Sequence, residues 1–439
     1  LGDVYKRQLF VEGNMSEVIK KDIKSQSLRN YALGILVVVY TFNFIDRNIL
    51  SILLQSIKTD LNLSDTSLGF LSGFAFAAFY ATLGIPIAKY ADRGNRRNLI
   101  SISLAIWSFM TALSGLAQNF LHLLFARIGV GIGEAGCSPP AHSMISDYFP
   151  ANKRSTALGI YSLGIPFGIM FGLFAGGWID EMFGWRAAFF IVGVPGILIA
   201  ILFRFTVKEP IRGQAEGKVA SESQPTIYET ISFLLRKKSF RHLAFAASLA
   251  AFVGYGGINW LPSFFQRSYG MPTSDVGWYL GLILGLPGGL GIFLGGYLSD
   301  YFGSRDVRWS LWVAAIAMGA TAPLYYLVYM SPTASTSLLW LIIPVALGNF
   351  YQAATFSQTQ GVVELKMRSV AAAILLFIIN IIGLGFGPSA VGIVSDILQS
   401  EYGKESLRYS LLIFASLKIW CAFHYYMAGR YLKDDLVTN

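Results

Sequence analysis

The sequence predicts an all-α membrane protein: twelve transmembrane helices in two pseudo-symmetric six-helix bundles. Three observations carry that prediction. The 439-residue chain is 54% hydrophobic and only 13% charged, where a soluble domain of ordinary composition carries about a quarter charged residues. Apolar runs of about 18 residues or more, each long enough to cross a bilayer, recur from end to end. The second half then repeats the motifs of the first, the mark of a transporter built from repeats with its site where the halves meet. The segments are too long for the roughly ten-residue alternating strands of a β-barrel.

Span one is expected from about Tyr31 to Ile57, after a polar, basic tail holding Lys20, Lys21, Lys24 and Arg29. The chain opens Leu-Gly-Asp-Val rather than with Met, so residues 1–14 are read as non-native and Met15 as the start. Nothing there has a signal-peptide pattern. Span two runs from about Ser67 to Ala91 and span three from about Leu99 to Ala117. Span four, about Leu121 to Ser146, contains Arg127-Ile-Gly-Val-Gly-Ile-Gly-Glu134 and then Pro139-Pro140, which kinks it by removing backbone donors. Span five (about Thr156 to Ile179) carries glycines four apart around Pro166, a close-packing face. Span six runs from about Trp185 to Phe205. A stretch rich in Lys, Glu, Ser and Gln follows and reads as a linker. Six more spans begin near Phe240, Val276, Trp309, Leu338, Ser369 and Leu407. The expected division is a tail at 1–29, a bundle at 30–206, a cytoplasmic linker at 207–239, a second bundle at 240–432 and a tail at 433–439.

Net charge is +9. The basic residues cluster between spans, so they set topology rather than marking a nucleic-acid binder. With the N-terminus inside, roughly two dozen bases lie on the cytoplasmic side and about five outside. Both termini are therefore expected in the cytoplasm, in a cell inner membrane. Cys137 and Cys421 fall inside apolar spans and suggest no disulfide framework. No phosphate-cradling loop, metal-ligand spacing or nucleophile elbow is present, so no enzyme, no cofactor and no ATP-driven step are expected.

Charges inside spans are costly and mark pathways. Arg127 and Glu134 share one helix face about 10 Å apart. The glycines between them are read as letting span four approach span one, whose middle holds Asn43-Phe-Ile-Asp46-Arg47. Burial disfavours a charged carboxylate and a neighbouring guanidinium favours it. Those opposed effects make Asp46 the first candidate proton carrier and Glu134 the second. Arg47 and Arg127 are candidate partners for the acids and candidate binders of an anionic headgroup. The plain alternative is two permanent structural pairs, Asp46–Arg127 and Arg47–Glu134.

Two loops read as gates. After span two comes Asp92-Arg93-Gly94-Asn95-Arg96-Arg97; after span eight comes Gly296-Tyr-Leu-Ser-Asp300-Tyr-Phe-Gly303-Ser-Arg305. Asp147, at the end of span four, is placed in the same charge network. This pattern resembles the Gly-x-x-x-Asp-Arg-x-Gly-Arg-Arg motif of the major facilitator superfamily, with departures at Ala88 and Asn95. Asp46-Arg47 with Arg127 and Gly133-Glu134-Ala135, and Tyr161-Ser-Leu-Gly-Ile-Pro166-Phe-Gly168, resemble the spinster-like branch. The resemblance covers the chain from Tyr31 on. It implies the major facilitator fold and a proton-coupled secondary transporter, driven by the proton gradient, of lipid-like amphiphiles such as lysophospholipids or sphingoid phosphates. Tyr161 joins the candidate substrate contacts with Asn43.

The second half offers Tyr255, Asn259 and Trp260 on span seven, Asn349 and Gln352 on span ten, and Asn380 on span eleven as polar groups that could line a mostly apolar pocket. Lys418 and His142 are given no role. The function expected is alternating-access transport by a monomer in the bilayer. A proton symporter of a small organic carboxylate is the first alternative; a non-transporting sensor and a passive channel are weaker ones.

Overall fold

The computed structural model describes residues 2–91, 93–211, 226–364 and 367–437, with side chains from Gln26 onward apart from Ile85, Ala88, Ala151, Asn152, Ser155 and Ser369. The expectations about the native start, Asp92, Ala88 and most of the linker lie outside these described residues or side chains. Ten segments are long and apolar enough to cross a membrane: Gln26–Leu61, Asp65–Ala91, Phe120–Tyr148, Thr156–Phe183, Trp185–Thr206, Lys238–Tyr269, Thr273–Gly303, Trp309–Met330, Ala334–Gly361 and Val370–Asp435. The last turns back at Gly403, whose φ of 53° suits a residue without a Cβ, so it crosses twice. The helix Arg96–Ser114 packs along Trp185–Thr206 and completes twelve.

Local sequence sets the boundaries. Ser64, Asn95, Asn119 and Thr333 each place a side-chain oxygen on a free amide at the start of spans two, three, four and ten. Asn95, a departure from the family motif, is therefore the N-cap of span three. Span four breaks after Glu134: its first part is Phe120–Glu134 and its second Ser138–Tyr148, with the proline pair in the first turn of the second part. Prolines fit there because those amides have no helical partner. Span eleven is interrupted by a π-helical stretch, Asn380–Phe386. The linker, expected from composition to be irregular, holds a short helix, Ile227–Arg236.

The glycines determine which helices touch. In span five a Cβ at Gly168 would lie 2.6 Å from the carbonyl oxygen of Thr41, and one at Gly172 3.1 Å from that of Ile45. Span five thus lies on span one with backbones in contact. Between the halves, a Cβ at Gly277 of span eight would stand 2.3 Å from the Leu173 oxygen, and one at Gly69 of span two 2.5 Å from the Pro388 oxygen. Spans five and eight, and two and eleven, form a symmetric seam of close backbone contacts.

The glycines of span four do something other than expected. Gly129 faces Met110, Gly133 faces Trp107, and Gly131 faces the backbone of Phe76. They draw span four onto spans three and two, not onto span one.

Candidate functional site

Asp46, Arg127 and Glu134 are at most 2% exposed and Asn43 is fully enclosed. Carbon-rich helices surround them, so each charge needs a partner or a use. Glu134 takes Arg47: Nε donates to Oε2 at 2.6 Å. The Arg47 guanidinium also lies over three rings, Phe44 at 5.1 Å, Phe76 at 5.2 Å and Tyr80 at 4.6 Å. Cation–ring attraction of this kind is worth about 0.5–2 kcal/mol each, more where water is excluded. The Arg47 side chain is 15% exposed while that of Glu134 is sealed, so Arg47 is the member of the pair that reaches accessible space.

Asp46 and Arg127 do not close the expected second pair. Arg127 makes no ion pair among the described residues, and its Nε has no hydrogen-bond partner. Its guanidinium sits 5.4 Å from the Phe76 ring, on which Arg47 also rests. It lies within electrostatic range of both acids. Both Asp46 oxygens are unbonded. They face the Thr111 hydroxyl and Trp107 indole of span three, neither of which has a partner of its own. Buried polar groups are almost always bonded, so this concentration of unbonded groups separates the site from the rest of the core. Trp107 and Thr111 were missed in the sequence. Their one signal is that they lie four apart on an apolar span, with Ser108 beside them.

The remaining candidates divide. Tyr161 stacks on Tyr40 at 4.3 Å, with His142 edge-on at 5.4 Å; its hydroxyl is unbonded, as is the Asn43 amide. Tyr255 of span seven faces Arg47 across the halves, and Tyr351 stands near Tyr255. Asn259 and Asn349 return their amides to their own helices, on the Tyr255 and Val345 carbonyls, each at 2.9 Å. Gln352 donates to Asn349 Oδ1. Asn380 opens the π-helical stretch. Trp260 is a correction: it is fully enclosed and donates to the Pro388 oxygen at 2.9 Å. It is mortar between spans seven and eleven, with no face left for a substrate.

Of the gate residues, Arg96 is fully buried and binds Glu209 Oε1 at 2.7 Å, Asp147, Ser143 Oγ and the Pro210 oxygen. The Arg97 amide donates to Glu209 Oε2. Glu209 is thus a member of this cluster that the sequence reading left in the linker. Arg93 stands exposed in the turn. The second copy is looser. Asp300 is exposed, and among the described residues the Arg305 side chain bonds Tyr301, over whose ring it lies at 4.7 Å. A Cβ at Gly296 would lie 3.2 Å from the Ala353 side chain, and one at Gly303 3.2 Å from that of Ser310.

The opposite end of the molecule holds a lock that the sequence reading missed. Asp65, fully buried, receives Lys58 at 2.5 Å, both Nη atoms of Arg267 at 2.6 and 2.8 Å, and Ser395 Oγ at 2.7 Å. Asp396 of span eleven accepts the Thr66 amide and hydroxyl at 2.7 and 2.6 Å. Arg267 also donates to Gln55. Spans one and two are thereby tied to spans seven and eleven.

A helical repeat architecture with a charged site in one half, an aromatic wall in the other and a cross-half lock at one end defines a membrane transporter. The sequence pattern of the Major Facilitator Superfamily matches residues 36–388, and the chain belongs to that family, in its spinster-like branch. It is 33% identical to an MFS-type efflux pump of Mycolicibacterium smegmatis, across 93% of this chain and 94% of that protein. It is 25% identical to the hexuronate transporter of Bacillus subtilis, across 86% and 90%. Among solved structures it superimposes on a bacterial homologue of the human lysosomal transporter Spinster, in an inward-facing, unoccupied conformation, with a TM-score of 0.85 and 31% identity. That match spans 94% of this chain and 99% of that one. The chain is a multi-pass membrane transporter of small molecules and not an enzyme.

Proposed function

We propose that the protein is a proton-coupled secondary transporter that carries a singly headed amphiphilic anion by alternating access. The observation that carries this reading is the unequal state of the two acids: Glu134 holds Arg47 in an ion pair, while Asp46 has no ion-pair partner among the described residues although Arg127 is near. A proton on Asp46 frees the field of Arg127, and an anionic headgroup on Arg47 competes with Glu134. The apolar length of the substrate meets the rings of Phe44, Tyr80 and Tyr255. Among the described residues, the second-half group found acting on Arg47 is the Tyr255 phenol rather than a guanidinium, which favours one charged head over two. Closure at the Asp65 lock, set beside the inward-facing relative, supports access from the Arg96 side. The excess of bases there supports a cytoplasmic assignment for that side and for both termini, in an inner membrane, with one chain as the working unit.

A second reading, a proton symporter of a small organic acid, draws on the likeness to the hexuronate transporter. The test uses purified protein in liposomes with an imposed pH gradient. Asp46→Asn is expected to retain thermal stabilisation by a lysophospholipid and to lose pH-driven accumulation of it. Full accumulation by Asp46→Asn would remove Asp46 as the carrier. Stabilisation by small carboxylates alone would transfer the site to the second reading.

A further inference from the structure

The helix Ile227–Arg236 has two unlike outward faces. It is fixed at its start by a complete capping box, Thr226 with Glu229. Thr230 and Leu234 are fully buried against the ends of the second-half helices. At about 100° per residue, Ile227, Tyr228, Ile231 and Leu235 fall within one arc of roughly 100° beside that buried stripe. All four are exposed, Tyr228 at 81% and Leu235 at 56%. Four large apolar side chains on one side of a ten-residue helix are not left in water without reason.

The position of the helix says what covers them. It ends at Lys237, whose extended backbone turns the chain directly into span seven. Lys237 Nζ donates to the Asp435 oxygen, and Asp435 Oδ2 accepts the Ser239 amide, so the helix end is pinned where spans seven and twelve finish. That level is the bilayer boundary. Arg236, Lys238 and Arg241 are exposed around the same turn. Among the described residues, Glu229 is engaged in the capping box and Asp435 on the Ser239 amide, and Arg236, Lys238 and Arg241 form no ion pair. An apolar arc flanked by unopposed bases matches the acyl boundary and headgroups of an anionic leaflet.

We infer that Ile227–Arg236 is an interfacial helix whose apolar arc sits in the bilayer surface and whose basic turn binds anionic lipid headgroups. This is independent of what the transporter carries. The test places a bimane label on full-length protein at Tyr228→Cys, or at Ser232→Cys as a polar-side control; the native Cys137 and Cys421 are buried. Vesicles are phosphatidylcholine, or the same with about 30% phosphatidylglycerol. The label at position 228 is expected to be quenched by lipids brominated near the headgroup and shielded from iodide, and that at 232 the reverse. Shielding at 228 is expected to rise at least about twofold with the anionic lipid, and Arg236→Gln with Lys238→Gln to abolish that increment. A 228 label open to iodide overturns the membrane contact. So does one that neither quencher reaches, which would mean that protein covers the arc. Equal quenching in both vesicles overturns the anionic preference.

Discussion

The two ends of the molecule hold their charges differently. At the Asp65 end the contacts cross between halves: the ion pair of Asp65 with Arg267, and the hydrogen bonds from Thr66 to Asp396. At the Arg96 end the corresponding cluster, Arg96 with Asp147 and Glu209, stays within the first half, and the second-half copy pairs Arg305 with a tyrosine of its own helix. Charges at the two ends therefore do different things. One set fastens the halves together; the other stiffens one half and leaves it free to move as a body.

That contrast can be broken experimentally. Removing one partner of a buried ion pair costs about 3–5 kcal/mol, so Arg267→Ala should unfasten the Asp65 end without unfolding either half. A cysteine at Ser395, which is fully buried against Asp65, is expected to become at least about tenfold more reactive to an impermeant maleimide, since each 1.4 kcal/mol is a factor of ten. If it stays protected, the glycine seam alone holds that end. Arg96→Gln should cost a similar energy but appear elsewhere: a lowered melting temperature in detergent, with the Ser395 cysteine unchanged. Arg305→Gln, at a solvated position, should stay within about 0.5 kcal/mol of the parent. A melting temperature for Arg305→Gln as low as that for Arg96→Gln would remove the asymmetry between the copies. Asn95→Ala loses one helix cap worth about 1 kcal/mol, a smaller loss than that of Arg96→Gln. It should be visible only as a small drop in melting temperature, and Asn95→Ser should restore it.

Much of the fold was legible because hydropathy reports span length directly. Trp185 and Trp309 begin helices where the sequence places them. The charged residues of the site were legible as well, since Asp46, Arg47, Arg127 and Glu134 stand out against apolar neighbours. Their pairing was not. Arg47 and Glu134 are 87 residues apart, and helix rotation, which decides the partner, leaves no local trace. Asp65 and Arg267 escaped notice for a related reason: a charge at the end of a span reads as topology until its neighbour is known. Asn95 looked like a flaw in a motif because a cap is recognised by the amide it bonds. The helix at Ile227 was hidden by the polar composition around it.

The Phe76 ring, shared by Arg47 and Arg127, has an electrical consequence. Two cations kept near one ring are balanced by Asp46 and Glu134, so the four-charge group is neutral when both acids are ionised. One added proton makes it a monocation, which a monoanionic headgroup returns to zero. On the proposed reading the loaded carrier then crosses without moving net charge through the field. Uptake should follow the pH gradient and ignore an imposed potassium-diffusion potential; a potential-driven current would show that the group carries two protons per anion or none.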